Sequence, residues 1–376
     1  MIYVKNIKLN NFRCFKSKSF DFLPNVNILI GKNGCGKTSV VEGISYLCLG
    51  KSFKGAKDKD VLKFNEEYFN IISNIVDKNE NRIVVGYDGK QKRIKNGENI
   101  CKTLSEHIGL YKLLSFCPDD LDIIKGSPSI RRQFIDVFIS QCDSIYLKAL
   151  SEYKKVLKIR NDFLKNIINY KYDSIMFNVI NEKLVESGKV IINLRKKYIE
   201  ELNKQVEIVS KRLSNGQSII RLIYNPDIND QDFENVIKSS INLDIVNKIT
   251  THGPQKDDIT ILFDNKEASI YSSQGQIRIS VLSLKLSIYE IFSKENDNII
   301  IILDDVFSEL DENKQRYLME YIENVGQVFI TTTEIDKIPD ELKQKSNIIE
   351  IKEGESNVWW TRKHYFWTKN RKQATS

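Results

Sequence analysis

Gly31-Lys32-Asn33-Gly34-Cys35-Gly36-Lys37-Thr38 has the residue types and spacing of a backbone cradle for phosphate, G-x-x-x-x-G-K-[ST]. Its glycines let the chain curl until several N–H groups face one anion. Lys37 adds a charge within reach of β- and γ-phosphates, and Thr38 adds a hydroxyl for Mg2+. Such a loop needs a buried strand before it and a helix after it. Val26-Asn27-Ile28-Leu29-Ile30 is an apolar run of strand type, and helical spacing starts at Lys37 and continues to about Leu47. The helix start would turn the positive end of its dipole toward the anion. The spacing therefore predicts an ATP site with Mg2+.

A nucleotide site of this kind needs carboxylates on a second strand. Ile299-Ile300-Ile301-Ile302-Leu303 is almost purely β-branched, as a central parallel strand should be, and it ends in Asp304-Asp305. Asp304 is placed to hold the Mg2+ shell, in part through water. Asp305 is placed to orient or deprotonate the attacking water. Two acids after a strand also make an ordinary turn, but the phosphate loop upstream favours the catalytic reading. Lys37, Asp304 and Asp305 are thus the candidate catalytic residues.

Ser273-Gln274-Gly275-Gln276 opens a third element, a helix running to about Phe292. Serine and glycine at a helix start make another anion site. The run resembles the S-G-G-Q signature of ABC-type ATPases, and Ser308-Glu309-Leu310-Asp311 resembles their D-loop. Ser273, Gly275 and Gln276 join Gly31–Thr38 as candidate nucleotide contacts. In ABC-type ATPases the signature of one subunit closes over the γ-phosphate held by the other. One loop and one signature per chain then imply an ATP-sandwiched homodimer.

The elements that carry these residues suggest an α/β fold: an ABC-type P-loop ATPase head with a mainly helical insertion, a short SMC-like arm. Residues 1–120 read as the N-terminal part of the head, with alternating pieces such as Arg82–Tyr87 that predict a partly antiparallel sheet. Residues 121–250 read as the arm. Ser127-Pro128 has the form of an N-cap followed by proline at the first helical position, and helical periodicity then continues to about Arg212. Tyr146, Leu150, Tyr153 and Leu157 lie on one helix face, a packing stripe. Residues 251–353 read as the C-terminal part of the head, with strands at Asp258–Phe263 and Gln327–Thr331. Residues 354–376 form a tail holding all three tryptophans, with no acid after Glu355. Aromatics among basic residues suit stacking on bases, and a frayed terminus is the plainer reading.

Composition limits the partners. The chain has 376 residues, enough for two domains. Its longest apolar run is far too short for a bilayer, so a cytoplasmic protein with no membrane partner is expected. The six cysteines and three histidines stand at no metal-ligand spacing, which argues against zinc and against a disulfide framework. A net charge of +7 is compatible with nucleic acid without requiring it. Lys51, Lys54 and Lys57 after the first helix, and Arg131 and Arg132 at the start of the insertion, are the candidate DNA contacts. Arg131 and Arg132 could instead pair with carboxylates.

The long stretch between Thr38 and Ser273 is unlike a compact transporter ATPase. Asn11-Phe12-Arg13, Gly31–Thr38 with Glu42, Pro118–Leu121 through Lys125–Asp136, Tyr153, Leu157 and Arg160-Asn161 form one set of motifs. Gly253-Pro254-Gln255-Lys256-Asp257-Asp258, Ser273–Arg278 and Leu303–Asp311 complete it. Together they resemble the RecF family. The resemblance implies ATP-dependent DNA binding in recombinational repair and replication restart. It implies single- and double-stranded gapped DNA as ligand, with RecR and RecO as partners. It also implies promotion of RecA loading and SOS induction. Asp305 stands where many ABC relatives carry glutamate, and the shorter side chain predicts slow hydrolysis; with the resemblance, the expectation is a weak, DNA-stimulated ATPase. A clamp or scaffold that binds ATP without useful turnover is the alternative. Thr331, Thr332 and Thr333 occupy the region of the usual switch histidine, so no switch residue is assigned.

Overall fold

The computed structural model describes residues 2–166, 174–295, 299–322, 326–352 and 358–360. The chain divides into two compact units, Met1–Asp120 with Phe292–Ser376, and Leu121–Ile291.

Among the described residues, the first unit holds two six-stranded sheets. One is antiparallel, in the order Phe15–Asp21, Tyr3–Phe12, Phe69–Val76, Glu80–Tyr87, Lys92–Asn96, Asn99–Cys101. The other runs Val358–Trp360, Asn347–Glu350, Val26–Ile30, Gln327–Thr332, Ile299–Asp304, Lys112–Phe116. Its strands pair in parallel except at the Val358–Trp360 edge. Ile299–Asp304 and Gln327–Thr332 are buried at every residue, as strands covered on both faces must be. The helix Lys37–Leu49 contacts strands of both sheets and is buried around most of its circumference. Gly43 makes that approach possible, because a Cβ there would stand 2.7 Å from a Leu9 methyl. The buried Gln327 amide ties the sheets together. It accepts from Val4 N–H at 2.8 Å and donates to the carbonyls of Val4 and Leu23, each at 2.9 Å.

The second unit is mainly helical. Pro128–Cys142, Ser144–Lys165 and Ser174–Leu213 are its main helices, the last two packed side by side. Ser127 is the N-cap and Pro128 the first helical residue, as the sequence predicts, although the Ser127 hydroxyl pairs with Ser129 rather than with backbone. Tyr146, Leu150 and Tyr153 of the expected stripe are buried, and Leu157 is half-buried. A three-stranded antiparallel sheet, Lys266–Glu267, Asp258–Phe263, Ile220–Asn225, completes the unit. Its pairing draws residues 251–291 into the helical unit, whereas the sequence reading groups 251–353 with the head. The tail residues 361–376 lie outside the described residues.

Candidate nucleotide site

The site is built on the parallel sheet. Val26–Ile30 delivers the loop and Lys37–Leu49 leaves it. Gly34 has φ +81 and Gly36 φ +105, conformations that L side chains rarely adopt. Gly36 is also crowded, since a Cβ there would lie 2.6 Å from the Phe15 ring and 2.7 Å from Cys14 Sγ. Gly36→Ala should therefore cost about 1–3 kcal/mol in backbone strain alone. Thermal unfolding with and without nucleotide checks this; a variant equal to wild type in both would show that the loop can re-form around a side chain.

Lys37 is buried at 7% exposure, and its ammonium donates to the carbonyls of Gly31 at 2.7 Å and Lys32 at 3.0 Å. Parallel register sets Asp304 beside Thr331. The Thr38 and Thr331 hydroxyls both donate to Asp304 Oδ1, at 2.8 and 2.7 Å. With its hydrogen committed to Asp304, Thr38 keeps its lone pairs for a cation. A carboxylate and a hydroxyl side by side are the hard oxygen donors that Mg2+ takes. Asp305 has φ +61, strained for a residue other than glycine, and its N–H reaches the Thr331 carbonyl at 3.3 Å and hydroxyl at 3.1 Å.

A cavity of about 410 Å³ extends from the loop, past Thr38, Asp305 and Thr331, to Arg13 and Asp60. Arg13 grips Glu42 with two prongs, at 2.6 and 2.7 Å, and donates to the Asp60 carbonyl at 3.1 Å. The Glu42 hydrogen bond raises the Arg13 pKa against the opposing effect of burial. Sequence spacing gave Arg13 and Thr331 no role in the site. The signal available for Thr331 was its place at the end of the strand beside Ile299–Asp304.

Ser273 and Gln276 cap the helix Gln274–Glu295 reciprocally. Ser273 N–H donates to Gln276 Oε1 at 2.8 Å, and Gln276 N–H to Ser273 Oγ at 3.3 Å. Ser273 and Gly275 are exposed, so the helix start faces outward.

The candidate DNA contacts differ in their surroundings. Arg131 holds Asp258 with two prongs, at 2.8 and 2.9 Å, and Arg132 donates to the Asp257 carbonyl at 2.7 Å. Burial, and then Arg195, lower the Arg132 pKa. Lys54 pairs with Asp304 Oδ2 at 2.9 Å. Burial would lower the Lys54 pKa, but the Asp304 hydrogen bond and charge outweigh it and the pKa rises. These three cations are engaged within the protein. Lys57 is exposed, and Lys51 gives its carbonyl to the Ser45 hydroxyl at 2.7 Å.

A family model described as an AAA domain matches residues 6–373. The DNA replication and repair protein RecF of Lachnospira eligens is 35% identical over 358 residues, covering 93% of this chain and 98% of its own. The chain belongs to the RecF family. RecF of Clostridium perfringens is likewise 35% identical, over 94% of this chain and 99% of its own. A solved RecF-ATP structure, described as a recombination mediator protein in the RecFOR pathway, superposes with a TM-score of 0.86 at 32% identity. It covers 96% of this chain and 98% of that one. An Smc head domain from Pyrococcus furiosus, at TM-score 0.55 and 18% identity, shares the fold. The fold is thus the ABC-type head with a helical insertion. Among the described residues, no helix of this RecF family member is long and apolar enough to cross a membrane.

Proposed function

We propose that this chain is an ATP-dependent DNA-binding protein of recombinational repair and replication restart, with ATP as a dimer switch. The observation that carries the reading is one phosphate loop and one outward-facing signature helix start per chain. Gly31–Thr38 would hold the triphosphate of one subunit, and Ser273, Gly275 and Gln276 of the second subunit would complete the cage. Bound MgATP supplies the anionic charge that makes two such positive helix ends mutually attractive. Thr38 and Asp304 would hold Mg2+ on hard oxygen donors. Asp305, fixed by Thr331, would orient water, and its short side chain favours slow turnover. Closure would bring the DNA-binding faces of two subunits together, with gapped DNA as the preferred ligand and RecR and RecO as partners in promoting RecA loading and SOS induction. Phosphate contacts would make the affinity salt-sensitive and largely independent of sequence.

ATPase activity and sedimentation, measured with and without gapped DNA and RecR, test the whole reading. A chain that binds ATP but neither dimerises nor responds to DNA would refute it. Ser273→Arg isolates the dimer step. It should lower the ATP-dependent dimer fraction by about tenfold, a coupling loss of roughly 1.4 kcal/mol, while binding of ATP to the monomer stays near wild type. Equal dimerisation would remove the signature from the interface.

A further inference from the structure

Asp304 is oversubscribed for a metal ligand. Its Oδ1 already accepts two hydroxyls, from Thr38 and Thr331, and its Oδ2 pairs with Lys54 Nζ at 2.9 Å. Its side chain is only 4% exposed, and among the described residues Lys54 is its one ion-pair partner. A buried carboxylate with a single cation neighbour cannot keep that neighbour unperturbed when a divalent ion arrives. Two like charges a few ångströms apart in a partly dry site repel strongly.

The attachment of Lys54 lets this repulsion move the side chain without moving the backbone. Lys54 N–H is held by Ser52 Oγ at 3.1 Å, and Ser52 Oγ donates to Glu42 Oε1 at 2.5 Å. Glu42 is clamped in turn by Arg13. Gly55, with φ +77, turns the chain immediately afterwards. The root is pinned while the flexible four-carbon stem carries a compact charge that can swing. The Lys54 side chain is 28% exposed, so solvent lies within its reach.

We infer that Lys54 is a positioning residue, a built-in counter-ion of Asp304 that a divalent cation must displace before the nucleotide site is complete. The inference rests on the proposed placement of Mg2+ at Thr38 and Asp304. It gives Lys54 two alternating partners. Without the divalent ion it neutralises Asp304 and holds the carboxylate against Thr38. With the ion bound it becomes a solvent-facing cation on the same segment as the exposed Lys57. Mg2+ binding thereby releases one positive charge from its pair with Asp304, leaving it for a polyanion at the surface.

Two measurements on the full chain test this. In the first, lysine acetylation by an activated acetate ester is read peptide by peptide by mass spectrometry, with ATP plus EDTA and with ATP plus Mg2+. Acetylation of Lys54 should rise about fivefold with Mg2+, while exposed Lys57 changes little, as displacement of a paired charge requires. In the second, binding of a fluorescent ATP analogue is followed across a Mg2+ series. Lys54→Met should lower the half-saturating Mg2+ concentration by about tenfold, and Lys54→Arg should restore the wild-type requirement. An unchanged or higher Mg2+ requirement in Lys54→Met, or Lys54 equally reactive with and without Mg2+, overturns the inference. Lys37→Met serves as the control for the site itself. If wild type binds no more nucleotide than Lys37→Met, the site reading fails and the inference with it. If wild type binds and only the Lys54 signals are flat, the competition alone is wrong.

Discussion

Lys37→Met should abolish nucleotide binding, with affinity for MgATP falling about a hundredfold or more and ATP-dependent dimerisation lost with it. Lys37 is buried, and its charge sits on the carbonyls of Gly31 and Lys32 at 2.7 and 3.0 Å. It closes the loop on itself and fixes the curvature that would turn backbone N–H groups toward a bound anion. Methionine matches the stem in length and apolar character, so packing of the helix Lys37–Leu49 should survive. The cost to folding is then roughly one or two hydrogen bonds, about 1–2 kcal/mol. The cost to binding is larger because a charge-assisted contact to phosphate disappears and the cradle loses its tie. Calorimetric titration with ATP and unfolding in urea separate the two effects. Affinity within threefold of wild type would mean that the loop's grip comes from backbone alone.

The parts of this site that were legible in the sequence share one property: their geometry is local or fixed by a strand end. The phosphate loop is contiguous, and Ile299–Leu303 announces a buried strand, so Asp304 had to emerge at its end. What stayed hidden was the choice of partner. Arg131 looks the same in sequence whether it faces solvent or grips a carboxylate 127 residues away, as it does with Asp258. Lys54 had the spacing of a surface cluster yet reaches Asp304. Ser273 was legible as a helix start, while its capping exchange with Gln276 depends on side-chain rotamers that spacing does not specify. The unit boundary at Ile291 was hidden for a similar reason, because the pairing of Asp258–Phe263 with Ile220–Asn225 is non-local.

Two of the segments that carried the family resemblance, residues 128–136 and 253–258, meet in one buried network in the helical unit. Arg195, at 3% side-chain exposure, donates to Asp136 at 2.8 Å, Asp257 at 2.7 Å and the Pro254 carbonyl at 2.8 Å. Tyr146 donates to Asp136 at 2.6 Å and Tyr224 to Asp257 at 2.5 Å. Residues 128–136 and 253–258 thus meet on a single guanidinium. Arg195→Met should destabilise this unit by about 3–5 kcal/mol, the usual consequence of leaving buried carboxylates without their cation. The two acids respond differently to their surroundings. Burial raises the Asp257 pKa despite Arg195, whereas Arg195 and Lys154 outweigh burial at Asp136 and hold its pKa below the usual range. A depressed Asp136 contributes stability above the unfolded carboxylate pKa and loses it as pH falls through the folded value. Without Arg195 both acids are free to take up protons, so the deficit of the variant should be largest near neutral pH and shrink as pH falls toward the carboxylate range. Urea unfolding at several pH values, with hydrogen exchange followed in the helix Ser174–Leu213, measures it. A deficit that stays constant with pH would mean that Arg195 acts by filling space, and that the convergence of these segments is held by packing rather than by charge.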